Sequence, residues 1–108
     1  MAATARKSGK RRQNEFVLRL YVTGGTRRSQ VAVENLNAIC EEYLKGRYDL
    51  EVVDMYRSPL AAEKEGILAA PTLVKQLPAP IRRLIGDLSE RGRVLMLLGL
   101  KEKAESHA

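Results

Sequence analysis

The sequence predicts a single α/β domain, and three features carry that reading. An apolar, β-rich run at 16–22 is followed by a stripe of helix period, a second strand pattern begins at Tyr48, and Ser58-Pro59 opens another helix. The chain has 108 residues, room for one domain. Residues 1–14 (MAATARKSGKRRQN) carry Arg6, Lys7, Lys10, Arg11 and Arg12, no acid, and no apolar side chain larger than alanine after Met1. That composition predicts a disordered basic tail. The domain is expected over 15–101, with 102–108 as a flexible C-terminal tail.

Taken in order, FVLRLYV (16–22) reads as a largely buried strand that Gly24-Gly25-Thr26 ends. From Arg27 to Lys45, Val33, Leu36, Cys40 and Tyr43 recur at helical spacing, with Ala32, Ile39 and Leu44 widening the apolar face. Thr26 or Ser29 can cap its start, and Gly46 suits the left-handed residue after its end. YDLEVVDMY (48–56) reads as a second strand, so the first unit implies a parallel pair with a right-handed crossover. Pro59 suits the first turn of a short helix over 59–65, which Gly66 stops.

Two readings of the remainder stay open. In one, PTLVKQL (71–77) and IRRLIGD (81–87) form a hairpin around Pro78-Ala79-Pro80, and Leu88–Leu100 is a final helix with Gly99 in its interior. In the other, Leu73–Leu84 is mainly helical and VLMLLGL (94–100) is the last strand. An apolar run between Gly92 and Gly99 fits both periods.

Charge and composition narrow the function. Of the formal net charge of +6, five charges sit in residues 1–14, leaving a nearly neutral domain with 14 basic and 13 acidic residues. A phosphate-tracking groove needs clustered bases and stacking aromatics, which argues against nucleic acid as the domain's partner. Cys40 is the lone cysteine and His107 the lone histidine, too few for a disulfide or a zinc site. No apolar run approaches the roughly 20 residues of a membrane span, so the expectation is a soluble cytoplasmic protein.

The string GILAAPTL (66–73) resembles the cis-proline segment of thioredoxins, and with the preceding strand–helix–strand it supports a thioredoxin-like βαβαββα order. A thioredoxin enzyme would need C-x-x-C at the start of the first long helix, where the helix dipole lowers a thiol pKa. Thr26-Arg27-Arg28-Ser29 stands there instead, and hydroxyls cannot exchange disulfides. Cys40, on the apolar stripe, reads as a packed small hydrophobe. Gly24-Gly25-Thr26 lacks the spacing and lysine of a phosphate loop, and Glu41-Glu42 reads as a solvated helix face. With no nucleophile and base together, the expectation is a protein that is not an enzyme and carries no cofactor.

From Phe16 to Leu98 the chain resembles the KaiB family, through VLRLYVTG (17–24), KGRYDLEVVD (45–54) and ILAAPTLVKQLPAPIRRLIGDLSERGRVL (67–95). It is also similar to the KaiB-like sensor domain that begins some histidine kinases. The resemblance implies a clock regulator that binds the hexameric KaiC ATPase ring and modulates its ATPase and phosphorylation cycle. It further implies two folds: a thioredoxin-like binding state, and a homo-oligomeric (dimeric or tetrameric) ground state of order βαββααβ. The two open readings of residues 73–100 match these states, which must lie within a few kcal/mol of each other. Pro71, Pro78, Pro80, Leu97 and Gly99 fall in the segment that would repack, and slow X–Pro isomerisation suits a slow switch. Lys75, Arg82, Arg83, Gly86, Asp87 and, more weakly, Asp54 are the implied partner-binding residues.

Departures qualify this. Pro78-Ala79-Pro80 replaces three consecutive prolines, and Leu97 and Gly99 stand where Gly and Asp are common. Val31 and Glu51 replace basic residues, which weakens the implication of KaiA as a partner. An alternative is a KaiB-fold or thioredoxin-related adaptor in stress or redox signalling, without thiol catalysis.

Overall fold

The computed structural model describes the backbone of Thr4–Arg6 and all of residues 15–101. Its elements are β1 (Thr4–Arg6), β2 (Phe16–Val22), α1 (Arg27–Tyr43), β3 (Tyr48–Asp54), α2 (Pro59–Glu65), β4 (Thr72–Leu77), β5 (Arg82–Ile85) and α3 (Arg91–Leu98). They build one five-stranded sheet of order β1-β3-β2-β4-β5.

β2 pairs parallel with β3 and antiparallel with β4, and is covered on both faces. Its residues alternate between those faces, as a strand's period of two requires. Phe16, Leu18, Leu20 and Val22 join Ala32, Leu36, Ile39, Cys40 and Leu44 of the α1 side and Val94, Leu95, Leu97 and Leu98 of α3. Tyr21 joins Val53, Val74, Ala62 and Ile67 in a smaller cluster with α2. A near-continuous apolar strand is what two-sided burial demands, and Arg19 survives in it by pairing with Glu51 at 3.0 Å. Truncating a leucine such as Leu18 or Leu50 to alanine would cost about 2–5 kcal/mol.

The helix ends are set by side chains named in the sequence. Thr26 is the N-cap of α1 and accepts from the Ser29 N–H, a contact of about 1 kcal/mol. Gly66 ends α2 at φ 71° and Gly99 ends α3 at φ 75°, both in the left-handed region.

Of the two readings of residues 73–100, this structure has the hairpin followed by a helix: β4 pairs antiparallel with β5, and the Ala70–Pro71, Leu77–Pro78 and Ala79–Pro80 peptides are cis. Three expectations need correction. Within the stretch read as a disordered tail, Thr4–Arg6 pairs antiparallel with β3. Composition cannot reveal this, because a three-residue edge strand needs only backbone groups and a waiting edge. The rest of 1–14, and 102–108, lie outside the described residues. The final helix begins at Arg91, not Leu88. Leu88 instead sits at φ 64° with its side chain buried in the core, so its apolar character reflects an anchored loop. Lastly, Gly99 is not in the helix interior but at the C-cap, where its N–H donates to the Met96 carbonyl while Leu100 N–H donates to that of Leu95.

This placement decides the sign of a substitution at Gly99. Alanine in a helix interior would stabilise the helix, but at φ 75° it costs about 1 kcal/mol or more. No atom lies within 4 Å of a Cβ added at Gly99, so the cost is the backbone's alone. Gly99→Ala should therefore lower the urea midpoint of this fold without changing the m-value; a raised midpoint would refute the C-cap assignment. A second expectation concerns Cys40, whose thiol is pushed up to about 12 by burial and, secondarily, by Glu41. The unfolded thiol ionises near its ordinary value of 9.0 and the folded one does not, so its contribution to stability is complete below that pH and is lost as pH rises toward 12. Raising pH from 8 to 10.5 should lower the urea midpoint less in Cys40→Ala than in the parent, and an equal drop would show the thiol already ionised in the fold.

Candidate functional site

Strand directions bring several loops to one end of the sheet. β2 and β3 end there at Val22 and Asp54; β4 starts there, with Thr72 opposite Tyr21 and Ile85 opposite Thr72. The turn after β2, the turn after β3, the approach to Pro71 and the loop after β5 therefore converge.

The start of α1 occupies the position where a thioredoxin carries its thiols. Here both hydroxyls are committed to local structure. Thr26 Oγ1 caps Ser29 N–H at 3.3 Å, and the buried Ser29 Oγ accepts from Thr23 N–H at 3.0 Å. Two capping hydroxyls shape this turn and offer no redox chemistry. Cys40 lies buried farther along α1, and its raised pKa keeps it a thiol.

Asp54 ties two of these turns together. Its Oδ1 accepts from the N–H of Tyr56 at 2.9 Å and of Gly24 at 3.1 Å, and these bonds hold its carboxyl below the usual range. Asp87 likewise is held low by Ser89, whose N–H donates at 3.0 Å, with Arg28 adding to the effect. Its carbonyl accepts from Asn35 Nδ2 at 3.0 Å, and Gly86 N–H donates to the Pro71 carbonyl at 2.9 Å. Gly86 at φ 130° and Leu88 at φ 64° give this loop a backbone that side-chain-bearing residues rarely adopt. Arg28, Gly86, Asp87, Ser89 and Arg93 help line a shallow depression of about 180 Å³ beside it.

The remaining site candidates lie along the hairpin and are divided by the pleat. Arg83, opposite Val74, turns to the α2 face, where it donates to the carbonyls of Glu65 and Gly66 and lies 3.6 Å from the Glu65 carboxylate. It pins the C-terminus of α2 to β5. Arg82 stands opposite Lys75 on the α3 side. Lys75 is only 5% exposed, and burial, reinforced by Arg82, lowers the pKa of its ammonium. So Asp54, Gly86 and Asp87 gather at the sheet end, Lys75 and Arg82 share one face, and Arg83 takes the other.

Sequence reading overlooked the apolar side chains left in solvent. Leu68 is 95% exposed, Tyr56 75% and Leu60 68%, on the segments flanking and opening α2. Ile85 at the edge of β5 and Met96 on α3 are also exposed. Met96 helps line a groove of about 250 Å³ with Arg82, Arg83, Leu84, Arg93 and Leu97. The signal was available for Leu68, which comes two residues after a helix-ending glycine and fits no period; the apolar run 94–100 offers none that would single out Met96. Among the described residues, no helix is long and apolar enough to cross a membrane.

Comparison with known proteins agrees with this geometry. A family model described as KaiB domain matches residues 19–100. Circadian clock protein KaiB3 of Synechocystis sp. is 47% identical over 87 residues, covering 81% of this chain and 85% of that one. Circadian clock oscillator protein KaiB of Prochlorococcus marinus (strain MIT 9211) is 52% identical over 85 residues, or 79% of this chain and 75% of the relative. Among solved structures, the N-terminal domain of Synechococcus elongatus SasA matches with a TM-score of 0.66 at 23% identity, covering 89% of this chain and 94% of that one. Mitochondrial thioredoxin 3 of Saccharomyces cerevisiae matches with 0.63 at 18%, covering 82% and 81%. These structural likenesses carry the thioredoxin-like fold alone. The family match and relatives near 50% identity carry more: the chain belongs to the KaiB family of circadian clock proteins.

Proposed function

We propose that this chain is a cytoplasmic clock regulator that docks on the KaiC ATPase ring and modulates its ATPase and phosphorylation cycle. The observation that carries this reading is the set of large apolar residues in solvent around α2 and β5, next to arginines. Ile85 belongs to the hairpin that bears Arg82 and Arg83; Arg83 holds the C-terminal end of α2, and Tyr56, Leu60 and Leu68 lie on the segments before, in and after that helix. An exposed apolar group rimmed by charge is the usual mark of a protein-binding surface. The docking surface in this reading runs around the edge of the hairpin, with Arg82 on one face and Arg83 on the other and Gly86 and Asp87 at the sheet end; Lys75 lies buried beneath Arg82, and Asp54 shapes the adjoining turns. KaiA has no place in the proposal.

The thioredoxin-like arrangement is the competent state in this reading. A homo-oligomeric ground state would repack Pro71, Pro78, Pro80, Leu97 and Gly99, with Leu97 leaving its buried place in the core. Binding would then draw on the competent fraction, and apparent affinity would fall by that fraction.

Gel filtration with KaiC and ATP tests the proposal: a complex should form over minutes to hours, and none after a day would refute it. Arg82 is exposed and makes no ion pair among the described residues, and its reversal replaces a like charge opposite the buried Lys75 by an opposite one, so the fold is kept. Arg82→Glu should weaken the complex about tenfold, with circular dichroism unchanged and the urea midpoint not lowered. Undiminished binding in this variant would move the docking face off the hairpin.

A further inference from the structure

The sheet has two edges, and the chain treats them differently. β5 is four residues long and carries Arg82 and Arg83, the short, charged type of edge that discourages further pairing. β3 is seven residues long, and from residue 15 onward nothing pairs with its outer side. That side is taken by β1, with Thr4 opposite Val53, Ala5 opposite Val52 and Arg6 opposite Glu51. Without β1, the outward N–H and C=O groups of β3 would be a template for a strand from elsewhere.

Three observations make the chain's own N-terminal segment the fitting occupant. The first is direction. β1 runs antiparallel to β3 and β2 parallel to it, so β1 ends level with Glu51 and β2 begins level with Tyr48, at the same end of the sheet. Crossing two interstrand spacings and three residues along β3 is a gap of roughly 14 Å. Residues 7–15 join the two strands, and nine residues can reach up to about 30 Å. The linker is thus long enough for closure within one chain, and a short tether presents the segment at about millimolar effective concentration, far above a second copy at micromolar levels.

The second is charge. β3 carries Asp49, Glu51 and Asp54 and no base, whereas residues 1–14 carry five bases and no acid. Two β3 edges from separate copies would set acid against acid; the basic segment is complementary. The third is length. Three paired residues make a weak ladder, so the segment can be displaced.

We propose that the N-terminal segment is a tethered cap: Thr4–Arg6 closes the acidic β3 edge in cis, and any extended segment that adds to this sheet must first displace it. The cap does not rest on the proposed KaiC docking, whose test residue, Arg82, lies on the opposite edge strand.

Amide hydrogen exchange in the full chain tests it. In Thr4→Pro/Ala5→Pro, one of two adjacent prolines removes the donor facing β3, and all five bases remain. Exchange over Glu51–Val53 should quicken by about three- to tenfold while Leu18–Leu20 keep their protection. Arg6→Glu/Lys7→Glu should quicken the same amides, as should about 1 M salt with the parent chain. Equal exchange at Glu51–Val53 in parent and both variants would overturn the cap. So would protection that vanishes on dilution together with a dimer in sedimentation velocity, since the segment would then come from a second copy.

Discussion

The structure depends on the burial of β2 on both faces. Leu18, Leu20 and Tyr21 are wholly removed from water, and no single helix can cover both sides of a strand. α1 and α3 must therefore take one face and α2 the other, with β3 and β4 as flanks. A parallel β3 requires the long crossover that α1 provides, and an antiparallel β4 requires the chain to return past α2 before pairing. Once those directions are set, the loops that bear Asp54, Gly86 and Asp87 have to meet at one end of the sheet. The candidate site is a consequence of the core's geometry.

The legibility of the fold follows the same logic. β2, α1, β3 and α2 were readable because each carries its own period and its own stop: Gly24 and Gly25, Gly46, Ser58-Pro59 and Gly66. The C-terminal part was not, because the apolar run 94–98 is short and its flanking glycines serve a strand or a helix equally. What selects the helix here is tertiary: Val94, Leu95, Leu97 and Leu98 all find partners on the α1 face of the sheet, and Gly99 takes a left-handed φ. Leu88 misled for a physical reason. Burial of one loop side chain at a positive φ looks, in sequence, like the first apolar residue of the next helix.

The site was legible to a different degree. Asp54 and Asp87 could be named from their strings, but not that each is a turn-builder bonded to backbone N–H groups. Lys75, Arg82 and Arg83 could be named as a basic group, yet the pleat sends adjacent arginines to opposite faces and buries the lysine. Spacing along a strand determines which residues share a face only once its partner is known. The exposed apolar residues were the least visible, since hydrophobicity alone cannot distinguish a core leucine from one left in solvent.

What the thioredoxin-like scaffold does without thiols can be argued from Thr26 and Ser29. In a redox enzyme the start of α1 must keep a nucleophile accessible and ionised, which demands an open, electropositive turn. Here the equivalent turn is closed by its own hydroxyls, and Asp54 fastens it to the turn after β3. These bonds fix the contour of the turn, and no thiol stands at the start of α1. The apolar side chains that remain outside, Leu68 above all, include those on the segments before and after α2. The start of α1 without a nucleophile and the uncovered apolar rim together fit the proposed docking role better than a reacting one.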